Sequence, residues 1–277
     1  MKFGFVASCG GTDDILEMAV EAERCGWDGF FTWDGITIGA HETFDPWAVL
    51  GAVAVRTRTI RIGAMVFSLP RRKPWEVARQ ALTVDHLSGG RLVLPVGLGA
   101  VDDGGYSRVS GEVTDRRARA ERLDETLAFL AQAWTGETFS HGGAHYRAED
   151  MMFRPLPVQR PRIPVWVVAA WPSERSMSRA AAWDGVIPQP RGQAMEQLTP
   201  ADLAAMVAWV GQRRGGDAGS FDVVVEGELP EGRAAAREHV RALAAAGATW
   251  WVDSYWDLEH ETPQTLLDRI QQGPPVT

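Results

Sequence analysis

Four short segments carry residues whose types and spacing suit ligand chemistry. Gly97-Leu98-Gly99 ends an apolar run, and glycine at a strand end lets backbone approach a ligand closely. Ala169-Ala170-Trp171-Pro172-Ser173-Glu174-Arg175 leads from small residues into a helix start, where free first-turn N–H groups and Arg175 suit a phosphate. Gly63-Ala64 interrupts another apolar run, as a bulge or a close packing site would. Trp33-Asp34, with His41 in the same segment, offers an aromatic, a carboxylate and an imidazole; Asp102, Asp103 and Tyr106 are further acid–base candidates. The chain has 12 Trp against 3 Tyr, and Trp33, Trp171, Trp250 or Trp251, and Trp256 are expected at strand ends, as walls for a flat conjugated ligand. Each signal alone also reads structurally, as a tight turn, an ordinary capped helix or a core tryptophan.

The elements that must position these residues alternate in a regular way. Apolar runs of strand length begin at Phe3, Gly29, Ile60, Arg91, Val165, Asp184, Phe221 and Thr249, and each is followed by a helical stretch. In the first helix Ile15, Met18, Ala19 and Ala22 recur at three- and four-residue spacing, and Gly26 suits its stop. Asp45-Pro46, Thr199-Pro200 and Thr262-Pro263 read as caps followed by first-turn proline. Eight strand–helix units in order imply a parallel (β/α)8 TIM barrel, one domain over residues 1–277. Residues 137–162 are too long for a simple connection and read as a small excursion before the fifth strand, with a hairpin around His141-Gly142-Gly143. Barrel geometry places the site on the loops after the strands, including Asp34–Asp45, Leu98–Tyr106, Ala170–Pro172, Gln189–Gly192 and Gly227–Arg233.

Composition narrows the partners. With 45% hydrophobic and 23% charged residues the chain reads as globular, and a net charge of -8 disfavours nucleic acid or an anionic membrane. Arg71-Arg72-Lys73, Arg116-Arg117 and Arg213-Arg214 are short and read as solvated faces. Two cysteines allow no disulfide framework, and no His–carboxylate set has metal-ligand spacing, so no metal is expected. His141 and His145 fall in the excursion, while His86 and His239 on helices read as surface or structural. There is no nucleophile elbow or P-loop. With no apolar run long enough to span a bilayer and no leader pattern, the cytoplasm is the default location.

Five stretches carry a family resemblance: Ala22-Glu23-Arg24-Cys25-Gly26-Trp27-Asp28-Gly29; Arg56-Thr57-Arg58-Thr59-Ile60-Arg61-Ile62-Gly63; Thr83 through Leu92 with its Leu-Ser-Gly-Gly-Arg core and Gly97-Leu98-Gly99; Arg122-Leu123-Asp124-Glu125 with Trp134-Thr135-Gly136-Glu137; and Pro155 through Val167. Together they resemble the luciferase-like flavin and deazaflavin oxidoreductases. The resemblance implies a barrel holding reduced FMN, or coenzyme F-420, at the strand C-termini. The implied cofactor contacts are Ala64 and Met65, Gly97, Leu98 and Gly99, and Ala169, Ala170 and Trp171; Ser173 and Arg175 join them from the helix-start reading. The chain departs from the family pattern in three places. Gly35 stands where many relatives have a histidine after the aspartate, Ala170-Trp171 replaces a glycine pair, and Ala100 replaces the glutamate of the sugar-phosphate dehydrogenases.

The expected function is a monooxygenase using reduced FMN and O2 on a small organic substrate, with Trp33, Asp34 and His41 at the reacting centre. An F-420-dependent hydride-transfer enzyme is the alternative, and a non-catalytic flavin-binding homologue the second. A separate flavin reductase and a second copy of the chain, as a homodimer, complete the expected partners.

Overall fold

The computed structural model describes residues 1–191, 198–215, 221–257 and 259–275. In chain order the elements are β1 (Lys2–Val6), α1 (Thr12–Arg24), β2 (Gly29–Thr32), α2 (Pro46–Arg56), β3 (Arg61–Ala64), β4 (Phe67–Ser68), a 3-10 turn (Leu69–Arg71), α3 (Pro74–Ser88), β5 (Leu94–Gly97), α4 (Gly104–Ser107) and α5 (Arg116–Ala133). They continue with β6 (Phe139–Gly142), β7 (Arg147–Met151), β8 (Val165–Trp171), α6 (Glu174–Ala181), β9 (Gly185–Pro190), α7 (Pro200–Arg213), β10 (Asp222–Gly227), α8 (Arg233–Ala245), β11 (Trp250–Asp253) and α9 (Pro263–Gln271).

Nine of the strands form one parallel sheet in the order β3-β2-β1-β11-β10-β9-β8-β5-β4. Its two ends belong to a single stave, because β3 and β4 are consecutive pieces separated only by Met65 and Val66. The sheet closes where the Ile62 amide donates to the Arg91 carbonyl at 3.1 Å and the Val93 amide donates to the Ile62 carbonyl at 2.9 Å. The result is the eight-stave barrel expected from the alternation. The third strand was expected over Ile60–Phe67, with Gly63-Ala64 marking a bulge or a close packing site; the chain leaves the ladder just after them, at Met65-Val66, which is a cis peptide. The excursion folds as the antiparallel pair β6–β7, turning just after Gly142.

Side-chain alternation divides the barrel into two cores. Phe3, Phe5, Val165, Val167, Val223, Val225 and Trp251 point outward and pack under the helices. Val6, Phe31, Met65, Val93, Trp166, Ile187, Val224, Trp250 and Val252 point inward and fill the barrel. The amino end of the interior is plugged by aromatic rings: Trp166 and Trp250 meet at 5.2 Å, and Phe31 lies 5.9 Å from Trp166. Asp222 accepts both indole N–H groups at 3.1 Å, so neither polar edge is left unpaired. Gly185 makes room for this plug, since a Cβ there would lie 2.5 Å from Trp166 Cδ1. Each such buried aromatic contributes about 1.5–3 kcal/mol of transfer free energy. The plug leaves the carboxyl end as the place where a ligand can enter.

The outer helices follow their sequence signals. Ile15, Met18, Ala19 and Ala22 are the buried face of α1. Asp45 caps α2 by accepting from the Ala48 amide at 3.0 Å, with Pro46 in the first turn. Thr199 and Thr262 cap α7 and α9 in the same way.

Candidate functional site

Two carboxylates dominate the side of the barrel mouth formed by the loops after β2 and β5. Asp34 follows β2, and its side chain is fully buried. It accepts from the Ser68 amide at 2.9 Å and from Arg72 at 2.7 and 3.1 Å, and it is paired with Arg71. Arg71 also pairs with Asp103, which accepts from the Ile36 amide at 3.2 Å and from the Thr37 and Gly105 amides at 3.0 Å. Burial alone would raise the Asp103 carboxyl, but those three amides and the guanidinium hold it below the usual carboxylate range. A short α4 begins at this aspartate, which is why the loop after β5 is ordered against the loop after β2.

The Gly97-Leu98-Gly99 strand end is locked from beneath. Arg119 on α5 donates to the carbonyls of Leu98 and Gly99 at 3.0 and 2.7 Å. Tyr106 donates to the Leu98 carbonyl at 3.1 Å and lies 2.5 Å from the Ser68 hydroxyl. Burial pushes the Tyr106 phenol up, so it stays protonated. Gly99 has φ of +78°, and a Cβ there would fall 2.1 Å from Ser68 Oγ. Gly97 faces inward, where a Cβ would lie 3.0 Å from Val66 and 3.3 Å from Val168. With Met65, these residues form an apolar shelf just above the inner core.

Among the described residues, the opposite side of the mouth, formed by β9, β10 and β11, is open. A cleft of about 450 Å³ lies there, lined by Ile187, Gln189, Glu226, Glu228, Ser254 and Trp256 among others. That volume falls in the range of small-molecule sites. Glu226 shares the inward face of β10 with Val224. Trp256 donates its indole N–H to Glu226 at 3.4 Å, and the Ser254 hydroxyl is a second hydrogen-bond partner. Burial pushes the Glu226 carboxyl well above the usual range, and these two partners offset only part of that. Trp256 meets Trp33 edge to face at 5.9 Å, so an aromatic bridge spans the mouth between the two sides.

The helix start after β8 forms the third feature. Ser173 makes no side-chain cap on α6, and Arg175 is exposed at its first turn. First-turn amides have no intrahelical acceptor, and here no capping oxygen replaces one. Ser176 instead accepts from the Ala170 amide at 3.0 Å.

The sequence expectations can be placed on this geometry. Trp33, Asp34, Met65, Gly97, Leu98, Gly99, Ala170, Ser173 and Arg175 all lie at the carboxyl end of the barrel. Ala64 and Ala169 are there too, but they face the outer core. Asp34 is consumed by two arginines and a backbone amide, an arrangement that holds loops together. His41 is exposed, in a turn where its amide donates to the Ile38 carbonyl at 3.1 Å. The expectation of four tryptophans at one rim needs correcting. Trp250 and Trp251 begin β11 at the amino end of the barrel, and Trp171 packs against the outer core because it alternates with the inward Ala170. Arg71 and Arg72 are nearly buried ion-pair partners, not the solvated face their sequence suggested. Gly192, at the end of one expected site loop, lies outside the described residues.

Sequence reasoning did not single out Glu226 or Ser254. The signal was present: with β10 alternating and Val224 inward, the residue two further on must face the barrel axis. Among the described residues no group of three or more His, Cys, Asp or Glu lies close enough to hold a metal ion. Nor is any helix among them long and apolar enough to cross a membrane.

A closed parallel barrel with a cleft at its carboxyl rim defines the class of β/α-barrel enzymes. Within that class, the family model described as luciferase-like monooxygenase matches residues 1–273, and the chain belongs to that family. Over 214 residues it is 32% identical to an F420-dependent glucose-6-phosphate dehydrogenase from Amycolatopsis mediterranei (strain U-32), covering 74% of this chain and 62% of that protein. It is 25% identical to the oxygenase component of a flavin-dependent trigonelline monooxygenase from Acinetobacter baylyi (strain ATCC 33305 / BD413 / ADP1), covering 60% of this chain and 45% of the relative. These matches thus span from about half to three fifths of the relatives' own length. Among solved structures, the coenzyme F420 dependent tetrahydromethanopterin reductase from Methanopyrus kandleri superposes with a TM-score of 0.76 at 15% identity, covering 98% of this chain and 97% of that one. The chain therefore has the barrel fold of the luciferase-like family along nearly its whole length.

Proposed function

We propose that the chain holds a deazaflavin of the F420 type at its barrel mouth and transfers hydride between it and a small neutral or cationic organic molecule. The observation that carries this reading is the conjunction of three features at one rim. An apolar shelf of Met65, Val66, Gly97 and Val168 suits the face of a flat ring. The Trp33–Trp256 pair walls it, and the uncapped start of α6 with Arg175 suits a phosphate. The residues present therefore fit such a group, which when bound would supply the two-electron chemistry. The protein's own part is to seat the ring, exclude water with the two indoles and keep Asp34 and Asp103 tied to arginines and backbone amides. The deazaflavin is preferred over flavin because the relative covering most of this chain is named for F420.

The substrate class follows from charge. The described residues lining the cleft include two carboxyl groups, Glu226 and Glu228, and no lysine or arginine. A phosphorylated sugar would find no cation to pair with among the described residues there. The sequence points the same way, since Ala100 stands where the sugar-phosphate dehydrogenases carry a glutamate.

A second reading keeps the same seat with reduced FMN and oxygen, in a monooxygenase supplied by a separate reductase. The aromatic bridge favours it, because such chemistry needs a dry mouth. Titrating the protein with F420 and, separately, with FMN decides between them. F420 is expected to quench the tryptophan emission through Trp33 and Trp256, and FMN to quench it weakly. Quenching by FMN alone would transfer the assignment to the second reading, and no response to either would end both.

A further inference from the structure

Most carboxylates at the barrel mouth are committed. Asp34 and Asp103 are tied to Arg71, Arg72 and backbone amides. Glu226 is different. It sits on the inward face of β10, opens into the cleft, and has Ser254 and the Trp256 indole as partners with no cation among them. The groups on every element around it leave it alone. Gln189 is the polar side chain contributed by β9, and Arg191 beyond it is exposed. Asp253 on β11 faces the outer layer, where Trp251 donates to it and Arg269 lies nearby. Glu228 is exposed, Asp257 is hydrogen-bonded to His260 at 2.8 Å, and Asp202 is occupied with Thr199 at the start of α7. Just beyond β1, the Ser8 hydroxyl is buried with no partner among the described residues, and it brings no charge. A buried carboxyl raised above its usual range, bonded to the Ser254 hydroxyl and facing a cleft of about 450 Å³, is placed to give a proton to a bound acceptor.

We infer that Glu226, with Ser254 beside it, is the catalytic acid that delivers a proton to a carbonyl oxygen bound in the cleft, and removes it from the corresponding alcohol in reverse. The inference rests on the hydride-transfer reading above. In the reducing direction, hydride from the reduced deazaflavin forms the new C–H bond. The carbonyl π pair moves to oxygen, and oxygen takes the Glu226 proton. The carboxylate left behind regains a proton from water through the open side of the cleft. Two electrons and two hydrogens enter the substrate, and the deazaflavin is oxidised by two electrons. Glu226 thereby fills the role left vacant at Gly35, from the opposite side of the mouth. An acid that holds its proton more tightly than a free carboxyl suits this step, and burial pushes Glu226 in that direction.

Two measurements test this. The first needs no cofactor: infrared absorption of protonated carboxyl groups in the free protein at pH 7, for wild type, Glu226→Gln and, as a control for the other raised carboxyl, Asp253→Asn. Glu226→Gln is expected to remove one protonated-carboxyl band that Asp253→Asn leaves in place. Identical band intensity in wild type and Glu226→Gln overturns the inference. The second follows F420 binding by tryptophan quenching, and oxidation of reduced F420 by a panel of small ketones. Glu226→Gln should bind F420 as wild type does while the hydride step slows by about 10²–10⁴-fold, with Glu226→Asp recovering part of the loss. A Glu226→Gln rate within threefold of wild type, or wild type that binds F420 and reduces no ketone, overturns the inference. Failure of wild type to bind F420 sinks the function reading instead, and the infrared result then still decides whether Glu226 is the neutral acid of the cleft.

Discussion

The two sides of the barrel mouth treat the same chemical group in opposite ways. Around Asp34 and Asp103, burial is answered by two guanidinium groups and a set of backbone amides, so both carboxyl groups are fully partnered. Around Glu226, burial is answered only by Ser254 and an indole, so the carboxyl is pushed above its usual range. The difference teaches that burial by itself does not make an acid reactive; what faces it does. The arginine side works as a clamp that fixes the loops after β2 and β5, while the β10–β11 side keeps a proton available.

The clamp is the most sensitive point. Arg71→Met removes the one cation shared by Asp34 and Asp103, whose side chains are 0% and 2% exposed. Two buried carboxylates would then have Arg72 alone between them. Stability should fall by about 3–5 kcal/mol, seen as a lowered denaturant midpoint with unchanged slope. A loss under about 1 kcal/mol would mean the clamp is not what holds the loops.

A smaller effect separates inward from outward acids. Asp253 faces the outer core, and burial pushes its carboxyl up to about 7, against the Trp251 hydrogen bond and the nearby Arg269 that pull it down. A carboxyl raised in the folded state holds its proton more tightly than in the unfolded chain. Its contribution is fully present below about pH 4 and is lost as pH rises toward 7. Asp253→Asn keeps an acceptor for Trp251 and removes this slope. At pH 8 the variant should be more stable than wild type by up to about 3–4 kcal/mol, and the gap should close at pH 4. Unfolding curves at both pH values check the sign. A variant that is less stable at pH 8 would mean that the ionised Asp253 is well solvated or paired with Arg269.

The barrel was legible in the sequence because its signals are local and periodic. Apolar runs set the staves, Asp45, Thr199 and Thr262 set the helix starts, and the Gly-Gly at 89–90 set a stop, with Gly89 at φ of +65°. The break at Met65-Val66 was legible only as the bulge that Gly63-Ala64 suggests, since nothing in Ile60–Phe67 fixes where the strand leaves the ladder. The clamp was missed because Arg71 and Arg72 find partners 32 to 38 residues away in the chain, and a run of arginines looks the same whether solvated or buried. Glu226 was missed for a different reason. Its role depends on which face of β10 it shares, and a single carboxylate at a strand end reads as surface until the inward neighbours are counted. The expected Trp rim failed on the same point: Trp171 and Trp250 occupy the wrong face or the wrong end, and only Trp33 and Trp256 reach the mouth.

The smallest expected effect falls where the two sides touch. Trp33 comes from the clamp side and Trp256 from the Glu226 side, and they meet edge to face at 5.9 Å. Gly35 makes that contact possible, because a Cβ there would lie 2.5 Å from the Trp33 ring. Gly35→Ala must therefore turn Trp33, and through it disturb the indole that hydrogen-bonds Glu226. The crowding should cost about 1–2 kcal/mol of stability, less than loss of the clamp because an indole at the mouth can rotate where a buried ion pair cannot. The infrared band assigned to Glu226 should shift in the same variant while the Asp253 titration stays put. If the band is unmoved although Trp33 emission changes, the two sides of the mouth are independent, and the aromatic bridge does not couple the clamp to the acid.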